Sequence, residues 1–424
     1  MTSLRATFAS LSTRNYRLFF TGQTISVMGT WMQKIAQAWL VLELTGSGTL
    51  LGITAALQQL PTLLVGPWAG LLADRVDKRK LLIWTQATAA VPAVLLGVLI
   101  ATDRVQLWMV LVLALCLGTI GALDKPARHT FVIEMVGPSR LTNAVTLNSI
   151  VINAGKVTGP AIGGVLIATV GLAPSFMINS VSYLAVVTGL LLMRTDQLQP
   201  APPMRRGRGQ LRDGLRYVRR SPQLLGPLVL MTVTGMLAYE WAVTLPLFAR
   251  DTFDADAQAF GLMFSAMGVG AVIGGLSIAS TLHASARMLT STALVFAALM
   301  VATAFAPTLL VAFVALFAVG GASLAFRAVA NSLIQLQADP QMRGRVMALL
   351  VVATTGTTPV GGPLVGWIGE TFGARVSLAA GGIATAVAAG ATYAYLRRRG
   401  LLRPPVSPAA TVPALATRAV GQVR

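Results

Sequence analysis

The sequence predicts an all-α polytopic membrane protein of twelve transmembrane helices arranged as two six-helix halves. Three observations carry this expectation. The 424 residues are 55% hydrophobic and only 11% charged, with a mean hydropathy of +0.71, whereas soluble domains carry roughly a quarter charged residues. The apolar residues gather in repeated uncharged runs, several reaching the roughly 20 residues that a helix needs to cross a ~30 Å hydrocarbon core. One pattern also occurs twice: Gly159-Pro160-Ala161-Ile162-Gly163-Gly164 is echoed by Gly362-Pro363-Leu364-Val365-Gly366, and the turn glycines Gly171 and Gly373 follow. Internal repeats of this kind are the layout of transporters built from two related bundles.

In chain order, run length places spans at about 16–42, 50–73, 79–101, 106–127, 142–167 and 172–193. Six more are expected at about 223–249, 258–281, 287–306, 309–332, 344–368 and 374–396. Residues 1–193 form the N-terminal bundle, led in by a short amphipathic segment with Arg5 and Arg14. Residues 194–222 form a basic linker, with Arg194, Arg205, Arg206, Arg208, Arg212, Arg216, Arg219 and Arg220 among Pro200, Pro202 and Pro203. A short amphipathic helix is expected near 210–220. Residues 223–396 are the C-terminal bundle. Residues 397–424 open with Arg397-Arg398-Arg399 and continue as a Pro/Ala-rich tail whose composition predicts disorder. The first apolar run is too long for a cleavable leader and has no small-residue cleavage pattern.

The net charge of +19 invites a nucleic-acid reading, and its distribution argues against one. Lys34, Lys156 and Arg327 fall inside spans and Arg104, Arg250 and Arg375 in the loops opposite the N-terminus, leaving the other 27 of the 33 Lys and Arg on the N-terminal side. Positive residues concentrate on the cytoplasmic side of membrane proteins. Both termini are therefore expected in the cytoplasm, with the protein in a bacterial plasma (inner) membrane. Cys116, the single cysteine, lies in an apolar run and has no partner for an internal disulfide. His129 and His283 lack metal-ligand neighbours, no GxxxxGK[ST] phosphate loop is present, and no Ser/His/Asp set assembles at one membrane depth. No enzyme activity, metal or cofactor is expected.

Ionisable residues inside a bilayer are costly unless paired or wet, and mark function by default. Lys34 lies about two-thirds along span one, and Glu240 lies at the matching depth of span seven, its equivalent under the repeat. They are expected to face a central cavity and to approach each other when its outer side closes, with Glu240 as the protonatable coupling group. Lys156, Arg327 and Asn331 are further polar intrusions. The last two are four apart and share one helix face. With Gln33, Asn148, Asn153, Gln58 and Gln59 they suggest a cavity polar in places and otherwise apolar, lined by Trp31, Met263, Phe264 and Met267. Three deep cations against one deep acid suggest an amphipathic, anionic substrate.

Two stretches read as moving parts. Gly155, Gly159, Gly163 and Gly164 allow close helix approach, and Pro160 bends span five. The stretch Gly70-Leu71-Leu72-Ala73-Asp74-Arg75-Val76-Asp77-Lys78-Arg79-Lys80 sets a dense charged run between two apolar spans. Arg75, Lys78, Arg79 and Lys80 are expected to pair with acids such as Asp124, at the inner end of span four, as a cytoplasmic latch between the halves. Asp74 is suited to the positive N-terminus of a neighbouring helix.

Gly70–Lys80 resembles the loop between the second and third helices of major facilitator superfamily transporters, with Asp77 where the family usually has glycine. That resemblance implies that the helix met by Asp74 is the start of span eleven, near Arg343. Gly155–Gly164 resembles the later part of the fifth-helix signature of drug:proton antiporters, with Leu147 replacing its upstream glycine. Trp39-Leu40-Val41-Leu42, Thr45-Gly46-Ser47, Leu60-Pro61, Asp124-Lys125-Pro126-Ala127-Arg128 and Leu141-Thr142-Asn143-Ala144 resemble the enterobactin-exporter and macrolide-efflux branch. The branch implies export of hydrophobic or amphipathic molecules, drug or siderophore-like, against inward proton flow. The expected partners are the lipid bilayer, protons and the substrate, with a monomer sufficing and the proton gradient as energy source. Many proton antiporters of the superfamily carry an arginine inside the fourth helix; here Leu113-Ala114-Leu115-Cys116-Leu117 stands there, so Glu240 or Asp124 must couple protons. Two other readings stay open from sequence: a proton-coupled importer of a small metabolite, and the permease subunit of an ATP-driven system.

Overall fold

The computed structural model describes residues 8–199, 210–278 and 284–402, without the side chains at 67, 71, 73, 74, 210, 211 and 276–278. His283, most of the proline-rich linker stretch and the tail expected to be disordered thus lie largely outside the described residues. Fifteen α-helices and no strand occur among those described. The N-terminal half holds α1 (Arg14–Thr45), α2 (Gly48–Arg75), α3 (Lys78–Ala101), α4 (Leu107–Val136), α5 (Leu141–Val170) and α6 (Ala173–Leu191). The linker helix α7 (Gln210–Arg220) follows. The C-terminal half holds α8 (Pro222–Leu237), α9 (Trp241–Phe253), α10 (Ala257–Ile278), α11 (Ala286–Ala304), α12 (Leu309–Gln337), α13 (Arg343–Thr354), α14 (Thr358–Phe372) and α15 (Ala374–Arg398).

Among the described residues, ten spans are long and apolar enough to cross a membrane, counting α13 with α14 as one, and the bent pair α8–α9 makes eleven. The twelfth is α1. Its 32 residues exceed the length required, but Gln23, Gln33, Lys34, Gln37 and Glu43 dilute its apolarity. Local chemistry sets the helix ends. Gly46, at φ +65°, closes α1 by donating its N–H to Leu42 O at 2.8 Å. Ser47 caps α2 by accepting from Leu50 N at 3.2 Å, and Asp77 caps α3 by accepting from Lys80 N at 3.0 Å.

Three spans differ from their expected outlines. Span seven breaks at 238–240, where Ala238 N and Tyr239 N both donate to Thr234 O and the next helix restarts on Glu240, with a 40° bend. Span eleven breaks between Thr354 and Thr358. Helix α4 does not stop near residue 127; it continues through Pro126 to Val136, so Asp124 lies more than three turns inside its end rather than at it. A single proline removes one helical hydrogen bond, and polar partners met below offset the charges around it.

The helix pairs repeat between the halves. In the first, α1 packs on α5 and α6, α3 on α4 and α6, and α2 on α4; in the second, α8 packs on α13 and α15, α11 on α12 and α15, and α10 on α12. Two long seams, α2 against α14 and α5 against α10, join the halves and are each other's equivalents under the repeat. The first seam is tight because it is glycine on glycine. A Cβ on Gly52 would stand 2.1 Å from Gly362 O, and one on Gly366 would stand 2.0 Å from Gly48 O. Beyond those glycines the seams part toward the side that carries the termini, where α13 packs on α7, α8 and α12.

Candidate functional site

Between the seams lies a cavity of about 1830 Å³, closed on the side away from the termini. Helices of both halves wall it. Of the residues expected to form it, Gln33, Lys34, Asn148, Asn153, Lys156, Asp124, Glu240 and Arg327 all line it, as do Gln58 and Gln59. Asn331 does not: it is exposed outside the lining. The cavity face of α12 follows Leu324, Ala328, Ser332 and Leu336, one helical stripe four residues apart. Ser323 and Arg327, in the neighbouring row, also line the cavity, whereas Asn331, next in that row, does not. Met263 also falls outside the lining, as a fully buried packing residue.

The charges are arranged unevenly. Asp124 is 6% exposed and fully engaged: Thr85 Oγ1 donates to it at 2.9 Å, Gln86 Nε2 at 2.7 Å, and Arg128, one turn on, pairs with it. Arg128 also donates to Gln23 of α1, so the network ties α1, α3 and α4 together. Its i, i+4 spacing was visible in Asp124-Lys125-Pro126-Ala127-Arg128, and ending span four near residue 127 concealed it. The basic loop after α2 does not reach Asp124. Lys78 Nζ instead meets Glu134 Oε1 at 2.7 Å, and Arg79 donates to the carbonyls of Leu190 and Leu191 at 2.7 and 3.2 Å. These contacts lie within the N-terminal half, so the expected latch does not join the halves through them here. Gly70 is buried in α2 and Arg75 is exposed. The side chain of Asp74 lies outside the described residues.

Lys34 and Glu240 face the same cavity but form no ion pair, although its far side is closed. Lys34 Nζ sits 4.2 Å from the Trp31 ring centroid, where the ring face takes the cation. Trp31 in turn meets Phe264 of the other half, with centroids 5.6 Å apart, which fixes the lysine's stem. Glu240, 5% exposed, occupies the break in span seven. It holds the N-cap position of α9 without a side-chain cap hydrogen bond, its polar neighbour Thr358 opens α14, and its Oε1 is buried without a hydrogen-bond partner.

Lys125, unexpected from sequence as a cavity residue, joins Lys34, Lys156 and Arg327 in the wall. None of the four makes an ion pair among the described residues, and Arg327 lies over the Tyr239 ring at 5.2 Å. Gln33 accepts from Asn179 Nδ2 at 2.5 Å, Gln37 accepts from Gln58 Nε2 at 2.8 Å, and Asn153 donates to Ser149 O at 2.9 Å. The site is thus an apolar chamber with a row of uncompensated cations, one isolated carboxylate and several amides.

The packing glycines divide their work. Gly155, Gly159 and Gly163 sit against Val27, Met28, Trp31 and Met32 of α1, whereas Gly164 meets Ala257 and Gln258 of α10. Where Pro160 removes an N–H from the α5 ladder, its own carbonyl lies against Gly261, whose added Cβ would stand 2.3 Å away. The motif therefore holds α5 to its own half and to the opposite seam.

Comparison with known proteins agrees with this architecture. The profile of the family described as transmembrane secretion effector matches residues 5–400. The chain is similar to the staphyloferrin A transporter of Staphylococcus aureus, 23% identical over 375 residues that cover 87% of this chain and 93% of that one. It is similar to the enterobactin exporter EntS of Shigella flexneri, 26% identical over 375 residues, 87% and 88% of the two chains. Among solved structures, the nucleoside transporter NupG superposes with a TM-score of 0.69 at 14% identity, covering 91% of this chain and 98% of its own. A bacterial homologue of the iron transporter ferroportin gives 0.69 at 15% identity, covering 90% and 98%.

Proposed function

Since the chain belongs to the transmembrane secretion effector family of the major facilitator superfamily, we propose that it exports anionic, amphipathic small molecules of siderophore type by alternating access, driven by inward proton flow. It is a membrane transporter and not an enzyme. The observation that carries the substrate reading is the row Lys34, Lys125, Lys156 and Arg327, four cavity cations without ion-pair partners among the described residues. Lys34, Lys125 and Arg327 are exposed within the cavity and Lys156 is half-buried, so they can take a counter-charge, and a substrate with several acidic groups and an apolar body fits best. The names of the relatives, a staphyloferrin A transporter and an enterobactin exporter, support the siderophore class and the outward direction.

Glu240 is the proton carrier in this reading. It is the cavity carboxylate left without a cation among the described residues, whereas Asp124 is held by Arg128, Thr85 and Gln86 and serves to brace α1, α3 and α4. With the basic loops in the cytoplasm, the conformation is inward-facing: the outer seam is shut and the cavity open to the cell interior. A substrate enters from there, the halves rock around it, and a proton taken by Glu240 from outside accompanies the return.

Inverted vesicles with an acidified lumen provide the test. They are expected to accumulate labelled enterobactin or staphyloferrin A, and to lose it when a protonophore is added. Glu240→Gln should abolish gradient-driven accumulation while leaving equilibrium binding of the label intact. Full proton-driven transport by Glu240→Gln removes the coupling role; label leaving energised vesicles removes export.

A further inference from the structure

The turn joining α1 to α2, Thr45-Gly46-Ser47-Gly48-Thr49, carries no charge, yet it sits where two helix dipoles meet. The negative C-terminal end of α1 presents carbonyls there, and the positive N-terminal end of α2 presents N–H groups. A residue of the opposite half meets each end with the complementary charge. Arg250, on α9, donates from Nη1 to Leu42 O at 3.2 Å and from Nη2 to Gly46 O at 3.1 Å. Its Nε is held at 2.7 Å by Asp251, which aims the two remaining nitrogens at the turn. Glu370, on α14, gathers three donors on one oxygen: Ser47 Oγ at 2.7 Å, Thr49 N at 2.9 Å and Thr49 Oγ1 at 2.6 Å.

These contacts stand at the rim of the glycine seam. The seam itself is backbone against backbone, Gly48 on Gly366 and Gly52 on Gly362, with no side chain to grip. Between described residues, the one other hydrogen bond joining the halves is Ser265 Oγ to Val157 O at 2.6 Å, in the second seam. At the opposite face, none between described residues joins the halves. The Glu370 contacts and the Arg250–Gly46 contact are also exposed to water, so on opening these groups exchange their partners for solvent instead of being stranded. That makes the contact reversible as well as specific.

We propose that Arg250 and Glu370 are positioning residues of the transport cycle, a two-pronged clamp on the α1–α2 turn that sets how much of the protein has its far side closed. The clamp grips helix ends through their dipoles and caps, and needs no charged partner in the turn. When the far side opens, both prongs must release together, because Leu42, Gly46, Ser47 and Thr49 belong to one rigid turn.

The test needs no substrate, so its outcome stands apart from whether the cavity carries siderophores. Cys116→Ser gives a cysteine-free chain, and spin labels are placed at Arg104→Cys and Pro307→Cys, exposed far-side positions in opposite halves. Double electron–electron resonance in nanodiscs should show one narrow distance in this parent. Glu370→Ala and Arg250→Ala should each add a longer-distance population, raising the open-to-closed ratio about tenfold. Thr49→Val, which removes one donor and keeps the carboxylate, should give a smaller shift in the same direction. Glu370→Gln, which still accepts hydrogen bonds, should restore most of the parent distribution. Parent-like distances in Glu370→Ala, Arg250→Ala and Thr49→Val overturn the proposal, including where melting temperature falls, since that outcome marks a merely structural contact.

Discussion

The two faces of this transporter treat charge in opposite ways. On the face with the termini, basic residues are dense, and these find their partners within their own half or on the linker helix: Lys78 on Glu134, Arg79 on the end of α6, Arg140 on Ser12 and Thr13, Arg345 on Asp213. On the far face charges are sparse, and two of them, Arg250 and Glu370, cross between halves beside a glycine seam. Charge density thus marks topology and the integrity of each bundle. The closed interface instead forms where small residues let backbones touch and isolated charges meet helix ends.

The largest expected effect on transport comes from putting bulk in the seam. In Gly52→Val the new Cβ meets the Gly362 carbonyl, a backbone atom that cannot swing aside. Overpacking of this kind costs about 3 kcal/mol, here charged to the far-closed state alone, or more than a hundredfold in its population. Transport should fall by that order, and the spin-label pair described above should report a mostly open far side. A closed, active Gly52→Val would break the claim that the glycines set this interface.

Next comes Lys78→Ala, whose effect falls on stability and not on the far-side equilibrium. It leaves Glu134, whose side chain is 10% exposed, without its cation. Removing one partner of a buried pair costs about 3–5 kcal/mol, while replacing both with apolar residues is often neutral. Thermal unfolding of the purified protein should therefore drop sharply for Lys78→Ala and recover in Lys78→Met with Glu134→Leu. The far-side distance should not move in either. A shift there would show that the basic loop does communicate across the halves.

Sequence alone made the spans, the repeat and the sidedness of charge legible, because run length and loop charge are one-dimensional properties. It also picked out four charged residues of the cavity wall, since Lys34, Lys156, Glu240 and Arg327 have no other reason to sit in apolar runs. What it missed depends on geometry. Span four was expected to end near residue 127 because the charges and proline of Asp124-Lys125-Pro126-Ala127-Arg128 outweigh its apolar neighbours, yet Thr85, Gln86 and Gln23 from other helices make the motif tolerable inside α4. The break at Glu240 is set by how span seven packs on span eleven. Gly235 there must accept the Ala353 carbonyl, where an added Cβ would stand 2.2 Å away. Asn331 shares a face with Ser323 and Arg327, but the cavity wall takes in only those two of the row. Glu370 and Arg250 carried no signal, being single charges at span ends whose partners are backbone groups and hydroxyls.

The smallest effect sharpens the contrast most. Arg79 donates to the last carbonyls of α6, Leu190 O and Leu191 O, a cationic cap on the negative end of that helix. Arg250 does the same chemistry on α1 from across the interface. In Arg79→Gln one bond is lost and the charge with it, at about 1 kcal/mol, and the purified protein should melt slightly lower with unchanged far-side distances. Arg250→Gln removes an equivalent cap and should instead lengthen those distances. Two arginines with matching partners then differ only in whether the helix they cap belongs to their own half, and that location decides whether their loss is felt as stability or as opening.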